Sequence, residues 1–378
     1  MQAEFFVEKI HGMGIETITG IPDSTLKAFC DYIGNEGSGL FKYHIVPENE
    51  GASVGIAIGE YLATGRPACI YMQNSGLGNA VNPFTSLAHS EVYGIPMLFV
   101  IGWRGEPGEK DEPQHKFMGR ITTELLHILE IEYTIIDNET TQDILGQALD
   151  RAQEAFSNNR QYALIVKPGT FDTRCVTVRA NKFSLARERA IEMIVQQLKN
   201  EDSVVSTTGK ISRELYEQCE RILGNHNQIF LTVGGMGHVS MIAYQLANRN
   251  KESKIFCLDG DGSILMHMGS LAVLGKYPVN NLVHVCLNNE AHESVGGMPT
   301  GAAGTSYGSF AEIAGYKKVY CVKDEVGLED ALDKIRKKDE MTFLDISVSL
   351  ESRADLGRPA QSTKENKEMF MKHEGVVV

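Results

Sequence analysis

The segment 255–297, IFCLDGDGSILMHMGSLAVLGKYPVNNLVHVCLNNEAHESVGG, puts a carboxylate and an amide where two apolar runs end. Asp261 stands in Gly260-Asp261-Gly262 at the close of the first run, and Asn289 follows the second run 28 positions further on. A helical stretch lies between them. The runs therefore pair as neighbouring parallel strands, and both residues emerge at the rim where such sheets bind ligands. A carboxylate and an amide carbonyl are hard oxygen donors, suited to octahedral Mg²⁺ that also holds phosphate oxygens and water. Gly260 and Gly262 let backbone approach a diphosphate, and Ser263 with the N–H groups of the next helix would face it. A GDG triplet alone is more often a tight turn, and NN alone a loop. The second run, with its Asn at this spacing, favours the diphosphate. A second pair, Asn280-Asn281, precedes its strand and falls on the opposite rim.

These residues need a sheet to hold them. Short apolar runs recur at 17–22, 68–73, 97–102, 133–137 and 163–167, then at 203–207, 228–233, 254–258, 282–287, 318–322 and 343–348. They are nearly continuous in Val, Ile, Leu and Phe, without alternation, which predicts strands buried on both faces. Helical patterns between them predict α/β domains, each a doubly wound parallel sheet. The polar, basic stretch 169–187 breaks the rhythm and reads as a linker. The expected layout is a first domain over 1–170, a linker over 171–187 and a second domain over 188–378. The charged tail from 360 is expected to be loose at its end.

The GDG…NN segment resembles the signature of thiamine-diphosphate-dependent decarboxylases. The resemblance extends over nearly the whole chain, through GIPDSTLKAF, PENEGASVGIAIGEYLATGRP, YMQNSGLGNAVNP, WRGEPGEKDEPQH and TTGKISRELYE. It implies two thiamine-diphosphate-binding domains, a pyrimidine-binding one followed by a diphosphate- and Mg²⁺-binding one. With 378 residues there is no room for the central domain of the larger members, and the resemblance narrows to the compact branch acting on phosphonopyruvate or sulfopyruvate. It implies decarboxylation of 3-phosphonopyruvate to phosphonoacetaldehyde and CO₂ in phosphonate biosynthesis, with sulfopyruvate as the alternative substrate. It also implies a homo-oligomer whose active site lies at a subunit interface.

Site residues follow from the same resemblance. Glu50, ahead of a small-residue helix, matches the glutamate that hydrogen-bonds the cofactor's pyrimidine; Glu48 is the neighbouring carboxylate that could simply be solvated. Gln73 and Ser75 belong to a Gly-rich turn beside the pyrimidine. Gly235 and Met236 follow a strand in the second half, Met236 matching the bulky residue that bends the cofactor, though it could equally be a core methionine. The Ala291 carbonyl would complete the metal ligands, placing His292 toward cofactor or substrate.

For the substrate, Trp103–His115 reads as a strand end and a long polar loop of the kind that forms lids. Arg104 suits a phosphonate or carboxylate through its bidentate fork, or a surface ion pair with Glu106 or Glu109. His115 and His292 are candidate proton-transfer groups. Asp23 and Ser24, after the first strand, are further candidates for the pocket.

Composition sets outer bounds. The formal charge of −13 argues against a nucleic-acid partner, which needs clustered Lys and Arg. No stretch is long and apolar enough for a membrane span, and the first residues lack a secretory pattern, so a cytoplasmic enzyme is expected. Seven Cys without a CxxC pair predict buried free thiols. A nicotinamide-dependent oxidoreductase is the remote alternative, and it lacks the G-x-G-x-x-G opening such a fold requires.

Overall fold

In the computed structural model, which describes residues 1–173 and 179–377, the chain divides into two compact units, Met1–Val178 and Arg179–Val378. The first holds six strands: β1 (Thr17–Gly20), β2 (Tyr43–Ile45), β3 (Ala68–Gln73), β4 (Met97–Gly102), β5 (Glu132–Ile136) and β6 (Tyr162–Val166). All pairs are parallel, in the order β2-β1-β3-β4-β6-β5. β4 and β6 are buried at every position, as central strands covered by helices on both faces must be. The edge strands β2 and β5 keep exposed positions.

The second unit repeats the design with β7 (Ser203–Ser206), β8 (Ile229–Leu231), β9 (Ile255–Gly260), β10 (Leu282–Asn288), a two-residue ribbon of β11 (Ala291–His292) and β12 (Met298–Pro299), then β13 (Lys318–Val322) and β14 (Thr342–Ser347). Its parallel sheet runs β13-β14-β10-β9-β7-β8. β9 and β10 pair with Leu287 opposite Gly260, which brings the GDG turn and the Asn289 loop to one rim. Both sheets are doubly wound and parallel, as the apolar runs predict.

Three local expectations need correction. β2 is absent from the apolar runs, because three residues on a half-exposed edge carry little hydrophobic signal. Gln114 and His115 are not loop residues. They lie in the first turn of helix Pro113–Ile128, which starts on a proline with no side-chain cap, and so shows none of the usual N-cap signal. The tail carries structure ahead of its last residues: helix Thr363–His373 opens with a Ser362/Glu365 capping box. Asn366 there accepts from the Leu231 N–H at 3.0 Å and donates to the Ile229 carbonyl at 2.9 Å, so a side chain satisfies the free edge of β8. Phe370 beside it is buried. Among the cysteines, 30, 69, 219, 257 and 286 are buried free thiols, but Cys321 on edge strand β13 is exposed; Cys175 lies outside the described residues.

The stretch read as a linker contains the point where the chain divides into its two units. Residues 174–178 lie outside the described part. Before them, Phe171 is buried against Phe6 and Phe29. After them, Leu185 joins the second unit's core and Arg187 is 3% exposed at the start of helix Arg187–Gln196. Among the described residues no helix is long and apolar enough to cross a membrane.

Candidate active site

In each unit the functional candidates gather beyond the carboxyl ends of its own strands. In the first, Asn49 caps helix Glu50–Thr64 by accepting from the Ala52 N–H at 3.1 Å, which sets Glu50 at the helix start. Glu50 is 5% exposed, whereas Glu48 is exposed; burial separates the two carboxylates. Glu50 Oε2 accepts from Asn79 Nδ2 at 2.8 Å. The turn after β3 comes so close that a Cβ at Gly76 would collide with Glu50 Oε1. Burial raises the Glu50 pKa, and the Asn79 hydrogen bond only partly opposes it.

Asp23, Gln73 and Ser75 form one chain. Gln73 Nε2 donates to Asp23 Oδ1 at 2.5 Å, and Gln73 Oε1 accepts from Ser75 Oγ at 2.7 Å. Asp23 Oδ2 accepts from the N–H groups of Thr25 and Leu26. With both oxygens engaged, Asp23 is a buried turn residue that holds the end of β1. Ser24, beside it, is exposed and accepts from Arg104 Nη1 at 3.0 Å.

Arg104 does not pair with Glu106 or Glu109. Its fork grips Asp111, Nε to Oδ2 at 2.8 Å and Nη2 to Oδ1, while Glu106 pairs with Lys167 at 2.6 Å. Despite its burial, the Asp111 carboxyl is held well below its usual range by Arg104 and the N–H groups of Glu112 and Gly105. Asn74, fully buried, clamps the Arg104 backbone by donating to its carbonyl at 2.8 Å and accepting from its N–H at 3.2 Å. His115 is partly buried and its pKa is lowered, first by burial and then by Arg104.

In the second unit Asp261 follows β9 directly and is 3% exposed. Its Oδ2 is buried without a hydrogen-bond partner. Burial pushes its pKa up to about 7, opposed by the N–H groups of Gly262, Asp261 itself and Asn289. A bare buried carboxylate is costly unless a cation balances it. Gly260 has φ −114°, open to any residue, and a Cβ there or at Gly262 meets only ordinary contacts. The fold itself does not require glycine at either place, which fits a rim kept low for a diphosphate. Ser263 is already committed: its Oγ accepts from the Gly237 N–H at 2.9 Å and from Thr207 Oγ1 at 3.0 Å, tying the loops after β7, β8 and β9 together.

Asn289 sits at the matching end of β10, 5% exposed. Its Oδ1 accepts from the Ala291 N–H at 3.1 Å and its Nδ2 donates to Glu293 Oε2 at 3.1 Å. Glu290 takes a left-handed φ of 61°, turning the chain into the β11–β12 ribbon that carries Ala291 and His292. The His292 ring lies against Gly262. Burial lowers its pKa to about 4, and its Nε2 has no partner. Gly235 (φ 67°) is exposed and Met236 half-buried in the loop after β8, outside the hydrophobic core. Asn281, by contrast, is buried at the far rim and donates to the carbonyls of Asn250 and Ser253.

Several residues of this site escape sequence reading. Asn74 and Asn79 lie inside a turn whose backbone drew the attention. Thr207 and Asp259 offer no pattern of their own; Asp259 Oδ2 lies 3.4 Å from His284 Nε2 beneath the GDG turn. Arg187 and Glu214 meet only in space, with Arg187 donating to both Glu214 oxygens at 2.7 and 2.8 Å and also pairing with Glu293. Burial alone would raise the Glu293 pKa, but Arg187 and Lys210 together hold it below its ordinary range.

Two parallel sheets with such rims define a class, and comparison with known proteins names it. Residues 2–126 match the thiamine pyrophosphate enzyme N-terminal TPP binding domain, and residues 208–346 the C-terminal TPP binding domain. The chain is 33% identical to the phosphonopyruvate decarboxylase of Streptomyces viridochromogenes, over 93% of its own length and 90% of the relative's. It is 33% identical to that of Streptomyces hygroscopicus, over 92% and 88%. To the sulfopyruvate decarboxylase of Methanosarcina acetivorans it is 29% identical over 78% of each chain. The chain belongs to the phosphonopyruvate decarboxylase family of thiamine-diphosphate-dependent carboxy-lyases.

Proposed function

We propose that this decarboxylase converts 3-phosphonopyruvate to phosphonoacetaldehyde and CO₂, using Mg²⁺ with thiamine diphosphate, as a cytoplasmic step of phosphonate biosynthesis. The observation that carries the substrate is the 33% identity to two phosphonopyruvate decarboxylases along nearly the full chain. The orphaned Asp261 carboxylate supports the metal.

In this reading Asp261, Asn289 and the Ala291 carbonyl hold Mg²⁺, three hard oxygens on one rim. Gly260, Gly262, the N–H groups around Ser263, and Gly235 with Met236 receive the cofactor, while Gln73 and Ser75 shape the pyrimidine side. When bound, thiamine diphosphate supplies the electron sink that lets CO₂ leave. Glu50 would present its carboxyl to a ring nitrogen of the cofactor, and burial, which raises its pKa, favours the proton-bearing form over the ordinary carboxylate. His292, kept neutral by burial, and His115 are the proton-transfer candidates. Arg104 offers its Nη1 edge, next to exposed Ser24, to the anionic head of the substrate. Asp23 supports that corner by holding the turn, since an acceptor-only carboxylate repels an anion and its oxygens are engaged by Thr25, Leu26 and Gln73. The working form is a homo-oligomer with the active site at a subunit interface.

The deciding assay offers phosphonopyruvate and sulfopyruvate separately to the purified protein with thiamine diphosphate and Mg²⁺, and follows aldehyde formation. A higher kcat/KM on phosphonopyruvate supports the proposal. Preference for sulfopyruvate, the substrate named in the 29% identical relative, overturns it.

A further inference from the structure

The loop 289–296 is braced by the segment that opens the second unit. Asn181 Nδ2 donates to the Asn289 carbonyl and to the Val348 carbonyl, both at 3.0 Å, spanning the carboxyl ends of β10 and β14. Arg179 Nη1 donates to the Gly296 carbonyl at 3.0 Å. Arg187, eight positions beyond Arg179 and 3% exposed, pairs with Glu293. Lys210 Nζ reaches the other Glu293 oxygen at 2.9 Å and Ser352 Oγ at 2.5 Å. Glu293 therefore has a cation on each oxygen and acts only as an acceptor. It can face the Asn289 amide only through its Nδ2 side, which leaves Oδ1, through the lone pair that the Ala291 N–H does not use, as the end that faces a metal.

We infer that Glu293 and Asn181 are positioning residues for the metal loop: Glu293 sets which end of the Asn289 amide faces the cation, and Asn181 anchors the Asn289 backbone from which that amide and the Ala291 carbonyl extend. This rests on the reading of Asp261 and Asn289 as Mg²⁺ ligands. Neither residue touches the reacting atoms. Their effect is on how tightly Mg²⁺ and thiamine diphosphate are held, in the range of tenfold to a hundredfold typical of groups behind metal ligands.

The test is calorimetric titration of Mg²⁺ into the full-length protein with thiamine diphosphate present, together with the melting temperature of the cofactor-free protein. Four variants are compared: Asn181→Ala, Glu293→Ala, Glu293→Gln and Asp261→Asn. Asp261→Asn is expected to lose Mg²⁺ binding. Asn181→Ala and Glu293→Ala are expected to weaken it by about tenfold or more, with cofactor-free melting close to that of the parent. Glu293→Gln keeps an acceptor for the Asn289 amide and is expected to fall between. If Asp261→Asn loses binding while Asn181→Ala and Glu293→Ala bind as the parent does, the bracing role is overturned and the metal site stands. If their only change is a lower cofactor-free melting temperature, they are ordinary structural contacts and the inference is again overturned. If Asp261→Asn binds Mg²⁺ normally, the metal reading itself fails and the inference with it.

Discussion

Two carboxylates, Glu50 and Asp261, are buried where an unbalanced charge is expensive, and each is expected to betray its role through a different measurement. Glu50→Gln keeps the shape and the Asn79 contact but removes the exchangeable proton. Decarboxylation is expected to fall by about 10²- to 10⁴-fold, with thiamine diphosphate still bound by calorimetry; an unchanged rate would exclude the assigned role. Asp261 gives a stability signature. Its folded pKa, about 7, lies above the ordinary 3.8, so between those values the folded state binds more protons than the unfolded one. Stability of the cofactor-free protein therefore is highest below pH 4 as far as this group is concerned, and is lost as pH rises toward 7. The size is on the order of a few kcal/mol. Melting curves across this range should show the loss in the parent and not in Asp261→Asn, and Mg²⁺ with thiamine diphosphate should restore it at pH 7.

Helix starts and strand ends set the geometry of these groups to within an ångström. The turn 74–76 presses on the first residue of helix Glu50–Thr64, and Gly76 is the point of contact. Gly76→Ala drives a methyl into Glu50 Oε1, and a misplacement of about 1 Å in a reacting group costs on the order of 10²-fold in rate. The expected result is a large fall in kcat with a modest shift in melting; wild-type kcat would show that the turn does not fix Glu50. At the far end of the chain, Asn366 closes the edge of β8 through two buried backbone groups. Asn366→Ala leaves both unsatisfied, at about 1–3 kcal/mol each. Chemical denaturation should show a lower midpoint with an unchanged slope.

A chain with a formal charge of −13 must draw an anionic substrate and a diphosphate by local means, since its overall field repels them. A divalent cation is the strongest such means, and it couples binding to stability. Any ligand held only by the folded state adds RT ln(1 + [L]/Kd), about 2.7 kcal/mol at a hundredfold excess over Kd. Removing Mg²⁺ with EDTA in the presence of thiamine diphosphate should therefore lower the melting temperature of the parent and leave Asp261→Asn unmoved. An equal response in both would place the metal elsewhere.

Much of this was legible in the amino-acid order alone. Buried parallel strands need unbroken apolar runs, so eleven of the strands lie within a residue or two of the runs that predict them, β9 reaching into the GDG turn. Asp261 and Asn289 also stand out as site candidates, because ligand chemistry at strand ends demands particular residue types at a set spacing, whereas Glu50 is picked out through the family resemblance. What escaped was whatever depends on contacts between distant positions. The edge strand β2 is too short to show periodicity. The pairing of Arg104 with Asp111 rather than with Glu106 is decided by where a loop folds back, and the docking of the tail by one amide that meets β8 across more than a hundred residues. The GDG…NN motif needs nothing beyond its own order to be seen. The hold that Asn181, Arg187 and Glu293 have on Asn289 exists only once the second unit is folded, because hydrogen bonds report distance in space, which sequence separation does not encode.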